Sequence, residues 1–245
     1  MREIDYASAP IKVRDDITEA HRRAWQRIAA PGTWWTGKER VAIADEVRSA
    51  IKCALCKERK AALSPSAVQG NHDSPGVLPE EVVDVIHRVV TDPGRLSKAW
   101  YEQALAGGVE DTHYVEIIGV VITVVSVDVF CRGVGVPAHL LPSPVDGEPS
   151  RRRPESAKLE AAWVPMIAQG KEKGPEADLY REGNHPHVGR ALSLVPDEVR
   201  GMKSLLGAQY FPIHQVVDLS LKRSISRAQM ELIAGRVSAL NGCFY

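Results

Sequence analysis

The most apolar segment, the uncharged run Ile117 to Val127 closed by Glu116 and Asp128, limits most strongly what this chain can fold into. Eleven uncharged residues are too few to cross a bilayer, which takes about 20. The run therefore has to be covered by protein. Across Thr112 to Cys131 the β-branched residues (Val115, Ile117, Ile118, Val120, Val121, Ile122, Val124, Val125) favour a strand by propensity. The wider stretch from Thr112 to Cys131 is nevertheless long for a strand, lacks strict alternation, and is broken only by Gly119. The reading is a single buried helix.

The segments around it carry helical periodicity. Asp16-x-x-Glu19 is a capping-box pattern ahead of Ile17, Ala20, Ala24, Trp25 and Ile28, and Pro31-Gly32 ends that helix. Thr36-x-x-Glu39 is a second box. It opens a segment with Ile43, Val47, Ala50, Ile51 and Leu55 on one face, expected to continue past Cys56 to about Leu63. Leu78-Pro79-Glu80-Glu81 starts a helix with Val82, Val83, Ile86, Val89 and Val90 inward, and Leu96 to Leu105 forms a short one. Beyond these, an interrupted helix is expected around Lys158 to Ala168 and a regular one from Asp197 to Tyr210. Ser226-x-x-Gln229 caps a last helix with Met230, Ile233, Ala234, Val237 and Leu240 toward the core. No strand alternates with these helices, so the expected fold class is all-α.

Pro137, Pro142, Pro144, Pro149 and Pro154 fall within eighteen residues, together with Asp146-Gly147 and Arg151-Arg152-Arg153. Such a composition reads as a linker. It divides the chain into a first helical unit over 1–135, a proline-rich linker over 136–154, and a second unit over 155–245.

Charge narrows the function classes. Thirty-one Lys and Arg balance 31 Asp and Glu, so no basic excess exists to neutralise phosphates or to hold an anionic membrane surface. Neither a nucleic acid nor a membrane is expected as partner. The N-terminus lacks the apolar stretch of a signal peptide, and a cytoplasmic location is the expectation. In a reducing compartment the four cysteines, Cys53, Cys56, Cys131 and Cys243, are thiols, redox groups or metal ligands rather than a disulfide framework.

Cys53-Ala54-Leu55-Cys56 places two thiols one helical turn apart, where their sulfurs can meet, and a helix N-terminus there would favour thiolate. Zinc needs four ligands. No second CxxC accompanies this pair, and His72 and His87 sit at no recognised spacing, so no metal is expected. His87 reads as a satisfied core histidine. His21, His113, His139 and His214 show no partner pattern, His185-Pro186-His187 reads as a turn, and Cys131 reads as a small buried hydrophobe.

The two halves share a pattern. Glu39 to Ala50 leads through Arg48-Ser49-Ala50 to Cys53 and Cys56, and Gln229 to Gly242 leads through Val237-Ser238-Ala239 to Cys243-Phe244-Tyr245. Each is a capped, Ala-rich helix with a Ser-Ala step shortly before a cysteine. This pattern resembles the alkylhydroperoxidase D and carboxymuconolactone decarboxylase superfamily. The resemblance implies an all-α helical bundle, often oligomeric, built here from two related units with the second incomplete.

It also implies a chemistry. In the peroxidase branch a glutamate lies twelve positions before the first cysteine of CxxC, as Glu231 lies before Cys243. The second CxxC residue attacks the peroxide and the first resolves it. Carried over, Cys243 is the resolving thiol, Glu231 the proton relay, and the attacking group falls just beyond Tyr245, where a selenocysteine encoded by UGA is the expectation. In the first unit Val41 stands where that glutamate would be and Lys60 where a histidine would be. Glu46, seven residues before Cys53, is the carboxylate available to a second redox site with Cys53 and Cys56. The implied function is hydroperoxide reduction by a homo-oligomer, with an external thiol reductant and no cofactor besides the redox-active thiols and the expected selenocysteine. A decarboxylase-like lyase and a non-catalytic oligomerising protein are the alternatives on the same scaffold.

Overall fold

In the computed structural model, which describes residues 4–180, 185–212, 215–216 and 218–242, the apolar run is a helix. The described residues form α1 (Asp15–Ala29), α2 (Gly37–Ala50), α3 (Ala54–Ala61), α4 (Glu80–Thr91), α5 (Lys98–Ala106) and α6 (Asp111–Gly133). After these come β1 (Ala157–Lys158), β2 (Met166–Ile167), α7 (His187–Arg190), α8 (Pro196–Gln209) and α9 (Arg227–Leu240). The architecture is predominantly helical. The interrupted helix expected around Lys158 to Ala168 is instead the antiparallel pair β1–β2, with Ala157 opposite Ile167.

Helix α6 is long and apolar enough to cross a membrane by length and composition, but it is the core of the fold. Helices α1, α2, α4 and α8 pack on it. Ile117, Val120, Val124, Val127 and Cys131 are fully buried. The β-branched run folds as a helix because most of its side chains are buried against neighbouring helices, and burial of that area outweighs a propensity difference of at most about 0.7 kcal/mol per residue. Ile43 and Val47 of α2, Val85 and Ile86 of α4, and Val199 of α8 complete the main cluster. Ile167, Leu179, Leu192 and Leu194 join it, so residues on both sides of the proline-rich stretch share one core.

That stretch is a strap rather than a free linker. Arg48 Nη2 donates to the His139 carbonyl at 2.8 Å and Trp25 Nε1 to that of Leu140 at 2.9 Å. The Val145 and Arg151 amides donate to the carbonyls of Ala29 and Thr33 at 2.8 and 2.7 Å. Prolines remove donors and prevent helix formation, and the remaining backbone groups find partners along the ends of α1 and α2.

A buried ionic network ties α8 to this frame. Arg40 of α2 pairs with Glu116 of α6 and, at 2.9 Å, with Glu198 of α8, all three almost fully buried. Arg27 reaches Glu198 at 3.1 Å, and the Trp34 amide donates to Glu116 at 2.7 Å. Two guanidinium groups thus balance two carboxylates. Glycine makes the approach possible: a Cβ at Gly119 would overlap the Glu198 carboxylate, and one at Gly32 that of Glu116.

Caps and faces differ from the sequence reading in two places. The Thr36–Glu39 and Ser226–Gln229 capping boxes form. The Asp16–Glu19 box does not: α1 begins at Asp15 behind Arg14, whose guanidinium grips Asp16 instead. Most consequentially, α9 does not turn its apolar residues inward. Leu232 is 74% exposed and Leu240 68%, with Ile233 and Val237 half exposed, and Arg227 is its one buried residue.

Candidate functional site

The helix expected to run from Thr36 past Cys56 breaks at Ile51–Lys52, and the break builds the site. Cys53 becomes the N-cap residue of α3 and Cys56 lies in its first turn, both thiols buried. The Ala54 amide, one of the orphan donors at that helix start, is taken by Asp73 Oδ2 at 2.7 Å. In return the Asp73 amide donates to Cys53 Sγ at 3.4 Å. This exchange pins the loop after α3 across the two cysteines and carries His72 onto them. His72 Nδ1 lies 3.7 Å from Cys53 Sγ and 3.5 Å from Cys56 Sγ.

Helix α4 supplies the other wall. His87, fully buried, places Nδ1 3.2 Å from Cys56 Sγ and Nε2 2.7 Å from Glu46 Oε1. Glu46, from α2, also accepts from Ser74 Oγ at 2.8 Å. One turn before His87, Asp84 accepts from His72 Nε2 at 3.0 Å and from Arg59 at 2.6 Å. The donor atoms of Cys53, Cys56, His72 and His87 all lie within 4.8 Å of one another.

The surroundings shift the protonation of these groups. Burial pushes the Cys53 thiol up. The amides of Asp73 and Cys56 and the rings and thiols nearby outweigh that and leave it below its ordinary value. Burial disfavours the charged form of His72, but Asp84 and the two sulfurs raise it to about 10. Asp84 is lowered to about 2, burial being outweighed by His72 and Arg59. His87 is lowered, chiefly by burial and despite Glu46. The pair of imidazoles is thus split: His72 charged against carboxylate and sulfur, His87 neutral and able to accept a proton at Nδ1.

Beside Cys56 a groove of about 300 Å³ opens between α3 and α4, lined by Ala50, Ile51, Lys57, Lys60, Val90 and Thr91.

Of the residues expected to carry function, Cys53, Cys56 and Glu46 come together here. His87 is buried and hydrogen-bonded, as a core histidine would be, but it also bridges Glu46 to Cys56. His72 and His87 converge on the thiols despite a spacing that announces nothing. Both were missed because what brings them in is the return of the 62–79 loop and the docking of α4. The one local cue is the pair Asp84 and His87, one turn apart on a single helix. Glu231 sits exposed on α9, accepting from Tyr210 Oη and, at 2.6 Å, from Arg227, and these bonds hold its carboxyl below the usual range. Its expected partner Cys243 and the chain beyond Gly242 lie outside the described residues, as does His214. Helix α9 ends before that cysteine, with Asn241 as its C-cap and Gly242 at a φ of +64°.

No family model, curated protein or solved structure matches this chain.

Proposed function

We propose that the chain is a thiol-dependent hydroperoxide reductase working through Cys53 and Cys56. The observation that carries this reading is the relay Glu46–His87–Cys56, with links of 2.7 and 3.2 Å. Glu46 accepts the Nε2 proton of His87 and so leaves Nδ1 as the free acceptor facing a thiol, the tautomer a general base needs.

His87 takes the proton of Cys56, and the thiolate attacks the outer oxygen of a hydroperoxide entering by the groove. The O–O bond breaks, the alkoxide takes the proton from His87 and leaves as alcohol, and Cys56 holds the new S–O bond as a sulfenic acid. The Cys53 thiolate then attacks the Cys56 sulfur. Hydroxide leaves, is protonated to water, and a disulfide remains. An external dithiol returns the two electrons. Lys57 and Lys60 give the groove a positive rim suited to an anionic or polar peroxide. The same reading has the protein acting in the cytoplasm as a homo-oligomer, with Glu231 and Cys243 as parts of a second, related site.

The test is hydroperoxide consumption with a dithiol donor. Cys56→Ser is expected to abolish turnover. Cys53→Ser is expected to leave a single turnover that ends in a sulfenic acid trapped by dimedone. Full turnover by Cys56→Ser would overturn the reading.

A further inference from the structure

We propose that Cys53, Cys56, His72 and His87 form a tetrahedral site for a zinc-like divalent cation. The proposal stands on the arrangement of the four donors and does not depend on peroxidase activity.

Tetrahedral zinc takes sulfur at about 2.3 Å and imidazole nitrogen at about 2.0–2.1 Å, which sets sulfur–nitrogen edges near 3.6 Å. Three of the four edges here are 3.2, 3.5 and 3.7 Å, and the fourth, Cys53 to His87, is within 4.8 Å, before any ion draws the donors to a common centre. All four atoms lie within 4.8 Å of each other, so one ion can reach every donor. Both imidazoles turn the same nitrogen, Nδ1, toward the sulfurs.

What surrounds the donors is arranged in the same sense. Each histidine presents its far nitrogen to a carboxylate, His87 Nε2 to Glu46 at 2.7 Å and His72 Nε2 to Asp84 at 3.0 Å. A carboxylate behind a metal-bound histidine fixes the ring and makes the inner nitrogen a better ligand. Arg59 anchors Asp84, and Ser74 anchors Glu46. The Asp73 amide donates to Cys53 Sγ, which stabilises a thiolate. Two thiolates and a dication sum to zero charge, so a loaded centre carries no net ionic charge into this buried position. Two sulfurs and two imidazoles in tetrahedral disposition select zinc-like ions over calcium or magnesium, which take oxygen ligands. Four protein donors also close the site, leaving no open position for a water or substrate.

A bound ion ties up both thiols. The dithiol that reduces peroxide and the metal centre are thus alternative states of one set of residues, and loading slows the reaction of Cys56 with peroxide.

The experiment uses the full chain, reduced and stripped of metal, titrated with Co²⁺. The expected result is the intense visible absorption of tetrahedral cobalt with thiolate-to-cobalt charge transfer in the near ultraviolet, saturating at one equivalent and bleached by one equivalent of Zn²⁺. Cys53→Ser and His72→Ala should weaken binding by more than about 100-fold. Asp84→Asn, which keeps all four donors, should weaken it by about 10- to 100-fold. Cys131→Ser should bind as the parent does. Circular dichroism of each variant separates a lost site from a lost fold, and Asp84→Asn serves where a ligand variant does not fold. Octahedral cobalt spectra, or tetrahedral spectra unchanged in both Cys53→Ser and His72→Ala, would overturn the proposal. Peroxide turnover, assayed separately on metal-free protein, fails or succeeds without bearing on that result.

Discussion

Glu46 and His87, on helices α2 and α4, are joined by a 2.7 Å hydrogen bond with both side chains buried, and the far edge of the same imidazole faces Cys56. Forty-one positions separate them in the chain. Neither residue is informative alone. Together they set which imidazole nitrogen is free to face sulfur.

Replacing Glu46 by Gln keeps the size of the side chain but removes the anion that orients His87 and stabilises its cation. Stopped-flow measurement of peroxide reduction by the metal-free dithiol should show about a hundredfold loss of rate. An unchanged rate would remove the relay from the mechanism.

Arg40 is shared by Glu116 and Glu198 in a position almost closed to water. Arg40→Met leaves the two carboxylates buried with Arg27 as their remaining cation. The expected cost is about 3–5 kcal/mol, read from urea unfolding midpoints. A loss below 1 kcal/mol would mean that water replaces the guanidinium.

Two glycines within helices should respond with opposite sign. Alanine gains up to about 1 kcal/mol over glycine from helix propensity. At Gly235 nothing lies within 4 Å of the new Cβ, so Gly235→Ala should stabilise α9. At Gly119 the Cβ meets the Glu198 carboxylate, and overpacking of about 1–3 kcal/mol wins. Hydrogen exchange of the α9 amides and a global unfolding curve read the two effects.

His21 is fully buried among Tyr6, Phe130 and Gln209, with His139 nearby. Burial first, and then His139, lowers its folded pKa from 6.5 to about 4. The unfolded chain therefore takes up a proton below pH 6.5 that the native state refuses until about pH 4. Its contribution to stability is full above pH 6.5 and falls as the pH drops through that window, by at most about 3 kcal/mol. Urea midpoints at pH 7 and pH 4.5 should separate less in His21→Gln than in the parent. Equal separation would show that His21 carries none of the acid lability.

Leu232 and Leu240 of α9 are largely exposed. Leu232→Lys and Leu240→Lys should each shift unfolding by less than about 0.5 kcal/mol. A loss above 1 kcal/mol would show that this face is covered in solution.

The boundaries of most helices were legible because they depend on neighbours in sequence. Thr36 with Glu39 and Ser226 with Gln229 close their capping boxes where the pattern placed them. The apolar run of α6 was legible as a buried helix from its length and want of alternation. The β1–β2 pair, which Ser193 and Arg190 hold, and the break before Cys53, which Asp73 holds, were not, since each is settled by contacts from outside its own segment. Arg14 taking Asp16, by contrast, is a contact of near neighbours that the capping-box pattern hid. The apolar stripe of α9 was legible as a pattern but did not say which surface, if any, it meets.

The same division runs through the site. By itself the sequence determined two thiols one turn apart, a carboxylate a few residues earlier, a zero charge balance and a helical chain built around one apolar core segment. Those are properties of composition and of spacings shorter than a few turns. Only the tertiary structure decided that His72 and His87 complete the group and that Asp84 and Glu46 stand behind them. Loop closure and helix docking bring together residues whose separation along the chain carries no periodic signal, and the energy that holds them there comes from burial of the surrounding core rather than from the site.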